Sequence, residues 1–415
     1  MKKRNSINFR NASFLIAFYS QKLKGEKTSI SPAGPLIDYL IKKGANFICF
    51  IDQPVALSEK THLCSLEIYG KEGAKKLTSN FFSLFNRISP KRKKKGGTFF
   101  RLKIRDFFSV LYFGLILRKK FDFFIGSESI NTLAGIILKR LKVVKFVIYY
   151  VIDLAPLRYK NKFLNWTYRI LDKFCCYYSD FCWNNSPVYE ILRLKNFKYS
   201  KKKIKPQINL GYGIDFEGIN ILPIDQLKDQ VIFIGSIDKE NGIELIIEAA
   251  LEILKLYPTL TFKLIGGGPQ ETSFRSKIKK LNLEKSIQIT GYFFDKNKIR
   301  KELCRSKIGL AIYPPLKYSI KPYGDPIKFK EYMAAGLPII TTDISWFAEK
   351  IKSIPLGIVI DFNKKDLKNA ILKLLTDKKF FQICRKNVLS EIKKYSWEKI
   401  FDKAFRKCYE KISHL

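Results

Sequence analysis

Histidine and methionine are scarce: the 415 residues contain two of each. One histidine, His414, is next to last and set to fray, which leaves His62. Chemistry that needs several histidines, a His triad or a multi-histidine metal site, is thereby excluded. The eight cysteines, at positions 49, 64, 175, 176, 182, 304, 384 and 408, form no CxxC pair. In a chain this long they suggest neither a zinc site nor a disulfide framework, but reduced, buried thiols in a cytoplasm. Long apolar runs are missing too. The run 107–117 falls well below the ~18–20 residues of a spanning helix, so the protein is read as not integral. The start mimics a signal peptide, but its apolar run, 13–20, is short and no small-x-small cleavage site follows. It reads as the first buried strand. Acidic residues are under-represented, 37 Asp and Glu against 77 Lys and Arg, for a net charge of +40. Such an excess implies an anionic partner (nucleic acid, lipid surface or phosphorylated substrate) or a Lys-, Ile- and Phe-rich coding bias. Hydrophobic residues at 46% and aromatics at 14% exclude a disordered or collagen-like chain.

The length exceeds one ordinary core and predicts two domains. Short apolar runs alternate with amphipathic stretches. Strands are predicted at 13–20, 46–51, 121–126, 145–151 and 180–186, then at 230–235, 260–266, 286–290, 308–313 and 338–341. Runs that are apolar without alternation suit strands covered on both faces, hence parallel sheets with helices between them. The boundary falls near 200–228, where SKKKIKP breaks the periodicity. The predicted class is α/β, with two doubly wound, Rossmann-like domains facing a central cleft. Ligands in such sheets bind beyond the carboxyl ends of the strands.

The most informative stretch is YGDPIKFKEYMAAGLPIITT, residues 323–342. Pro326 suits the first turn of a helix and Asp325 its N-cap; Gly336 ends the helix and Pro338 opens the next strand. Free amides at 325–328 make an anion site, and Lys328 adds a full cation there. Glu331 lies three residues on, on the same face as Lys328. A phosphate at the amides with a carboxylate one turn back fits a nucleotide: diphosphate at the helix end, ribose hydroxyls on Glu331. The alternative is an ordinary Lys–Glu surface pair. GGGP, residues 266–269, is either a plain tight turn or a place where backbone passes close to a ligand, which glycine permits.

These stretches resemble the retaining GT-B glycosyltransferases of family four, which use nucleotide sugars. The segment 323–342 is similar to that family's signature helix, E-A/Y-M-A-x-G-x-P-V-V. GYGID at 211–215 resembles its turn between domains, and FIGSIDKENGIELIIEA at 233–249 resembles its G-R-x-x-x-x-K-G segment. FKLIGGGP, ITGYF and SWEKIFDKAF resemble three further family segments in the family's order, the last being a terminal helix that crosses back onto the first domain. The resemblance implies an acceptor domain over 1–210, completed by the helix 396–415, and a nucleotide-sugar domain over 211–395. It implies catalytic roles for Lys328, Asp325 and Asp153. Donor contacts are implied for Glu331, Lys239, Ser236, Gly266, Gly268, Tyr292, Tyr323, Gly324 and Ile327, with Tyr292 near the base. No metal or other cofactor is implied beyond the nucleoside-diphosphate sugar itself.

The sequence also departs from the family. Tyr323 stands where the first of two family glutamates is usual, so Glu331 is the surviving one. The family's phosphate-binding Arg and Lys fall at Ser236 and Asn241, which leaves Lys328 and Lys239 as the expected cations. Ile152 replaces a histidine before Asp153. In the first half, Gly34 in SPAGP and Glu128 after the strand FDFFIG are the acceptor-side candidates; Glu128 is either an acceptor contact or a satisfied loop carboxylate. Residues 1–120 hold 25 Lys and Arg against 7 Asp and Glu. The basic-aromatic stretch 81–120, with five cations at 91–95, suits an anionic leaflet, or else a core-facing helix with a solvated basic edge.

The expected function is therefore a retaining, hexosyltransferase-like enzyme of glycan biosynthesis. It would move sugar from a nucleoside diphosphate to a glycan or lipid-linked acceptor, as a cytoplasmic protein peripheral on the inner face of the plasma membrane. The alternatives are a nucleotide-sugar epimerase, a catalytically inactive GT-B relative, or a basic nucleic-acid- or membrane-binding protein. Nucleic acid is not an expected partner, because no binding motif accompanies the charge.

Overall fold

The computed structural model describes residues 9–23, 26–28, 31–54, 64–70, 73–78, 97–293 and 295–413. The predicted basic loop 91–95 and both histidines lie outside them. The chain divides into two compact units, Met1–Gly211 with Trp397–Leu415, and Tyr212–Ser396.

The first unit is built on strands β1 (Ser13–Leu23), β2 (Glu26–Thr28), β3 (Phe47–Pro54), β4 (Ser65–Gly70), β5 (Gly73–Thr78), β6 (Phe121–Ser127), β7 (Val144–Val151), β8 (Phe181–Asn184) and β9 (Gln207–Asn209). Their order is β5-β4-β3-β1-β6-β7-β8-β9, with β2 antiparallel on β1. From β3 to β9 across the sheet the pairing is parallel; β4 and β5 add an antiparallel hairpin at one edge. The apolar run in β1 explains its central place: Phe14 to Phe18 are buried on both faces. The chain returns to this unit with the helix Trp397–Ile412, whose Phe401, Phe405 and Cys408 join a core containing Phe14, Phe123 and Trp183. Tyr39 Oη donates to Asp402 Oδ1 at 2.8 Å, fixing that helix to the helix Ala33–Lys42.

Within the stretch 81–120, the helix Gly97–Ile116 fits the core-facing alternative on one side, while Phe108, Leu115 and Ile116 are exposed. Val110 and Phe113 are buried, and Arg105 is buried in a 2.7 Å ion pair with Asp106. The charge is neutralised locally because a buried guanidinium needs a partner.

The second unit contains β10 (Gln230–Ile234), β11 (Thr261–Ile265), β12 (Ile287–Gly291), β13 (Ile308–Ala311), β14 (Ile339–Thr342) and β15 (Gly357–Ile360). All pair in parallel, in the order β12-β11-β10-β13-β14-β15. This is the doubly wound order 3-2-1-4-5-6, and the connections reverse direction between β10 and β13. The amphipathic helix Ile243–Leu256 buries Ile246, Ile247, Ala250 and Ile253 against the sheet. The eight cysteines are buried and free, and no helix among the described residues is long and apolar enough to cross a membrane.

Candidate functional site

In the second unit the carboxyl ends of β10, β11 and β12 are drawn together by glycine. Gly235, just past β10, has φ +143°, and its N–H donates to Ile265 O at 3.0 Å. Gly266, just past β11, has φ +147°, and a Cβ there would stand 1.8 Å from the Gly235 carbonyl oxygen. A Cβ on Gly268 would stand 2.5 Å from Ile237 O. Any side chain at these two positions would collide with backbone, so the close approach requires glycine. The Tyr292 ring lies over the same turn and is 52% exposed; a Cβ on Gly267 would touch it at 2.6 Å.

Next to these turns runs the helix Ile327–Ala334, in which Lys328 to Ala334 are all buried. Its entry differs from the sequence expectation. Pro326 is the N-cap, with no side-chain cap, and the helix begins at Ile327. Asp325 is instead fully buried: Lys330 pairs with its Oδ1, and the Tyr212 N–H donates to its Oδ2 at 2.7 Å. Asp325 is thus a structural clamp, and the catalytic role expected of it is withdrawn, because both oxygens are engaged and no face is open. Tyr323 and Gly324 form the turn that delivers this segment, both N–H groups donating to Ile320 O. Ile327 is half-buried.

A helix buried on every side must account for each charge. Lys330 has Asp325. Glu331 faces Arg300, with Nε 3.7 Å from Oε2, a distance too long for a hydrogen bond, and neither atom has a hydrogen-bond partner. Arg300, which the sequence reading did not single out, is itself held by the carbonyls of Asp215 and Glu217. Burial raises the Glu331 pKa, and Arg300 opposes the rise. Lys328 differs. Its Nζ donates to the neutral Asn241 Oδ1 at 3.1 Å and lies 4.3 Å from the Phe233 ring centre. A Cβ on Gly235 would stand 3.1 Å from that nitrogen. No carboxylate among the described residues lies within ion-pair distance of it. Burial pushes its pKa well down, Lys321 adds to this, and Asp238 opposes it. Asn241 is oriented by donating to Ser236 O at 3.0 Å and Asp238 Oδ1 at 2.9 Å. Lys239, the other expected cation, is exposed on the short turn Lys239–Asn241.

The structure therefore brings Lys328, Asn241, Gly235 and Ser236 together beside the β10/β13 reversal, where an open α/β sheet binds its ligand. Tyr313, just past β13, joins them: its ring is 5.3 Å from Lys328 Nζ, and its hydroxyl is buried without a hydrogen bond. Asn241 and Tyr313 were missed as functional groups. Asn241 was seen only as a departure, and Tyr313 sits in what reads as plain strand.

In the first unit, Glu128 follows β6 with φ +63°, a strained conformation for a side chain with a Cβ. Its Oε1 accepts from the Ile152 and Asp153 N–H groups, each at 3.2 Å, so Glu128 and Asp153 are brought together at the ends of β6 and β7. Burial raises its pKa, while Arg158 lowers it. The Asp153 carbonyl accepts from Tyr168 Oη at 2.8 Å and Arg158 at 2.9 Å. Gly34, in SPAGP, was expected ahead of the helix that the sequence starts at Pro35. It lies instead in the first turn of Ala33–Lys42, exposed and with open space where a Cβ would be, so nothing local requires glycine there.

Residues 216–390 match the family described as glycosyl transferases group 1. An alpha-D-kanosaminyltransferase of Streptomyces kanamyceticus is 27% identical over 148 residues, 35% of this chain and 36% of that protein. Sucrose-phosphate synthase 4 of Arabidopsis thaliana is 32% identical over 90 residues, 21% of this chain and 8% of the synthase. The matched part thus spans about a third of the one relative and under a tenth of the other. Among solved structures, a sucrose-phosphate synthase from Thermosynechococcus elongatus superposes with a TM-score of 0.69 at 13% identity, covering 97% of this chain and 99% of that one. The Anabaena protein HepE, in complex with UDP, gives 0.63 at 12% identity over 97% and 100%. The match to glycosyl transferases group 1 thus lies within the second unit, over residues 216–390, and the likeness to the solved structures is one of fold, GT-B.

Proposed function

We propose that this protein is a retaining glycosyltransferase. Its second unit would hold a nucleoside-diphosphate sugar and its first unit an acceptor hydroxyl on a glycan or lipid-linked precursor. The observation that carries the reading is Lys328: a buried ammonium at the sheet's reversal point with a neutral amide, but no carboxylate, as partner. A buried cation left without counter-charge is costly, and a diphosphate supplies that charge. The Ile327 and Lys328 amides open the helix, ahead of the Phe329 N–H that donates to Pro326 O, and an anion is favoured at such an end. Glu331, in the next turn, is placed to accept from ribose hydroxyls, and the exposed Tyr292 ring to stack on a base.

In this reading the bond from the anomeric carbon to the diphosphate oxygen breaks while a bond to the acceptor oxygen forms on the same face. The acceptor proton passes to the leaving phosphate. Lys328 and the helix amides stabilise the growing negative charge, and the reaction runs without a metal. Glu128 and Asp153 mark the acceptor side. The location favoured is the cytoplasmic face of a membrane.

Screening nucleotide sugars for released nucleoside diphosphate tests the reading directly. Lys328→Met is expected to lower kcat by about 10²–10³, the size of losing one charge-stabilising donor, and to raise the donor KM far less. An effect confined to KM would remove Lys328 from the leaving-group role, and no turnover with any nucleotide sugar would overturn the reading.

A further inference from the structure

The helix Lys162–Tyr178 in the first unit has two unlike faces. Asn165, Tyr168, Asp172, Cys175 and Cys176 are buried, and Asn161 caps the start by accepting from the Leu164 N–H at 3.1 Å. The helix is thus pinned along one side. On the other side Phe163 is 67% exposed and Trp166 52%, their rings stacked with centres 5.6 Å apart, and Ile170 is exposed one turn on. At about 100° per residue these three fall within about 60° of arc. Lys162, Arg169 and Lys173, all exposed, fall within about 40° directly beside them.

The charge on this surface has one sign. Between residues 157 and 178 the sequence has a single acid, Asp172. It is fully buried in a 2.7 Å ion pair with the equally buried Arg193. The exposed part of the helix therefore presents cations and apolar rings with no carboxylate between them. Two large aromatics and an isoleucine on a solvent face have no structural use in an isolated fold. An apolar stripe flanked by Lys and Arg is the pattern of a helix lying in the plane of an anionic membrane surface, rings in the acyl boundary and cations at the headgroups.

We infer that Lys162–Tyr178 is the surface by which this protein docks on an anionic lipid bilayer. The inference places the membrane contact on this helix, whereas the sequence reading placed it in residues 81–120. It deepens the proposed function at its acceptor side and rests on that reading only for the lipid-linked acceptor. Docking itself requires no transfer.

The full chain is to be sedimented with vesicles of phosphatidylcholine alone and of phosphatidylcholine with phosphatidylglycerol, at low and high salt. Binding is expected to the second only, and to weaken with salt. Lys162→Gln with Arg169→Gln and Lys173→Gln should weaken it by about a hundredfold, from ~1 kcal/mol per basic residue. Phe163→Ser with Trp166→Ser should remove most of the remainder. Both sets change exposed residues, so circular dichroism should be unaltered. Trp166 emission should shift to the blue on binding, and Trp166→Phe should bind while losing that shift, since Trp183 is buried and Trp346 and Trp397 are half-buried on other elements. Equal binding to both vesicle types, no binding to either, or binding indifferent to the serine pair would overturn the inference. So would a solution dimer that the serine pair dissociates, because the face would then serve a second copy. Glu331→Gln separates the two readings: it should lose transfer and keep vesicle binding. Binding without transfer in the wild type would sink the proposed function and leave docking standing; transfer to a water-soluble acceptor without binding would do the reverse.

Discussion

At the carboxyl ends of its two sheets the protein holds opposite charges in opposite states. Beyond β6 and β7, Glu128 is a half-buried carboxylate whose Oε1 is met by two backbone N–H groups, with Arg158 opposing the rise in pKa that burial causes. Beyond β10 and β13, Lys328 is a buried cation given one neutral amide and two aromatic faces. One end is complete without a ligand and the other is not. Electrostatic incompleteness is what distinguishes a site awaiting an anion from a charge built into the scaffold. The same helix carries an internal control, for Lys330, two residues from Lys328 and equally buried, is neutralised by Asp325.

That contrast predicts the largest effect. Lys330→Met leaves Asp325 buried and unpaired, which should cost about 3–5 kcal/mol of stability in urea unfolding. Lys328→Met removes a charge that lacks a carboxylate, and should be neutral or stabilising by about 1–3 kcal/mol. Equal destabilisation by both would dissolve the distinction. The pH sign follows from linkage. Burial depresses the Lys328 pKa, so the unfolded chain binds more protons than the native one between the folded value and about 10.4. The ammonium's burial cost is fully present below the folded pKa and shrinks as pH rises through that window. Stability should therefore climb with pH there, and less steeply in Lys328→Met. A bound nucleoside diphosphate supplies the missing charge and should flatten the climb in the wild type.

The next effect sharpens the comparison within the second unit. If Glu331 accepts from ribose hydroxyls, Glu331→Gln forfeits charge-assisted bonds of about 1.5–3 kcal/mol. Donor affinity by calorimetry should fall roughly 10–100-fold. Its partner complicates the result usefully, since Arg300 loses one of two counter-ions but keeps the Asp215 carboxylate at 3.6 Å and the carbonyls of Asp215 and Glu217. Unchanged affinity would mean that Glu331 serves Arg300 alone.

Much of the fold was readable because parallel strands covered on both faces are continuous apolar runs. All ten predicted strands are present, among them the runs at β1, β7, β10 and β14. All but one of the strands missed lack that signature. β4 and β5 form an edge hairpin, SLEIYG and GAKKLT, with polar residues interleaved. β2 and β9 are three residues long, whereas β15, GIVI, carries the apolar signature in four residues and was passed over. In the candidate site the helix and its lysine were legible from Pro326 and the glycine that ends it. Asp325 was misread because DP before a helix looks like a cap, whereas Lys330 five residues on claims the carboxylate. That contact joins side chains whose pairing depends on which helix face is buried, and composition does not record it. Arg300 was invisible for a similar reason: it approaches Glu331 from a helix some 30 positions away in sequence.

The smallest effect concerns Glu128 and asks whether the first sheet's end is as self-sufficient as it looks. Two features oppose each other there. A left-handed φ of +63° costs a residue with a Cβ about 1–2 kcal/mol. The two 3.2 Å bonds from the Ile152 and Asp153 amides offset it. Glu128→Gln keeps an oxygen for both amides and removes only the charge, whose burial cost and attraction to Arg158 partly cancel; its stability should stay within about 1 kcal/mol of wild type. Glu128→Ala keeps the strain and strands both amides, at about 1–3 kcal/mol each. Glu128→Gly strands the same amides but relaxes the backbone, so it should lie above Ala by the strain released. The order Gln, Gly, Ala in urea unfolding is the expected result. Ala as stable as Gln would show that water satisfies the amides and that the carboxylate is not what completes this end of the sheet. Should Gln also leave the acceptor KM unchanged, Glu128 is scaffold; should the KM rise while stability holds, the charge itself is read by the acceptor.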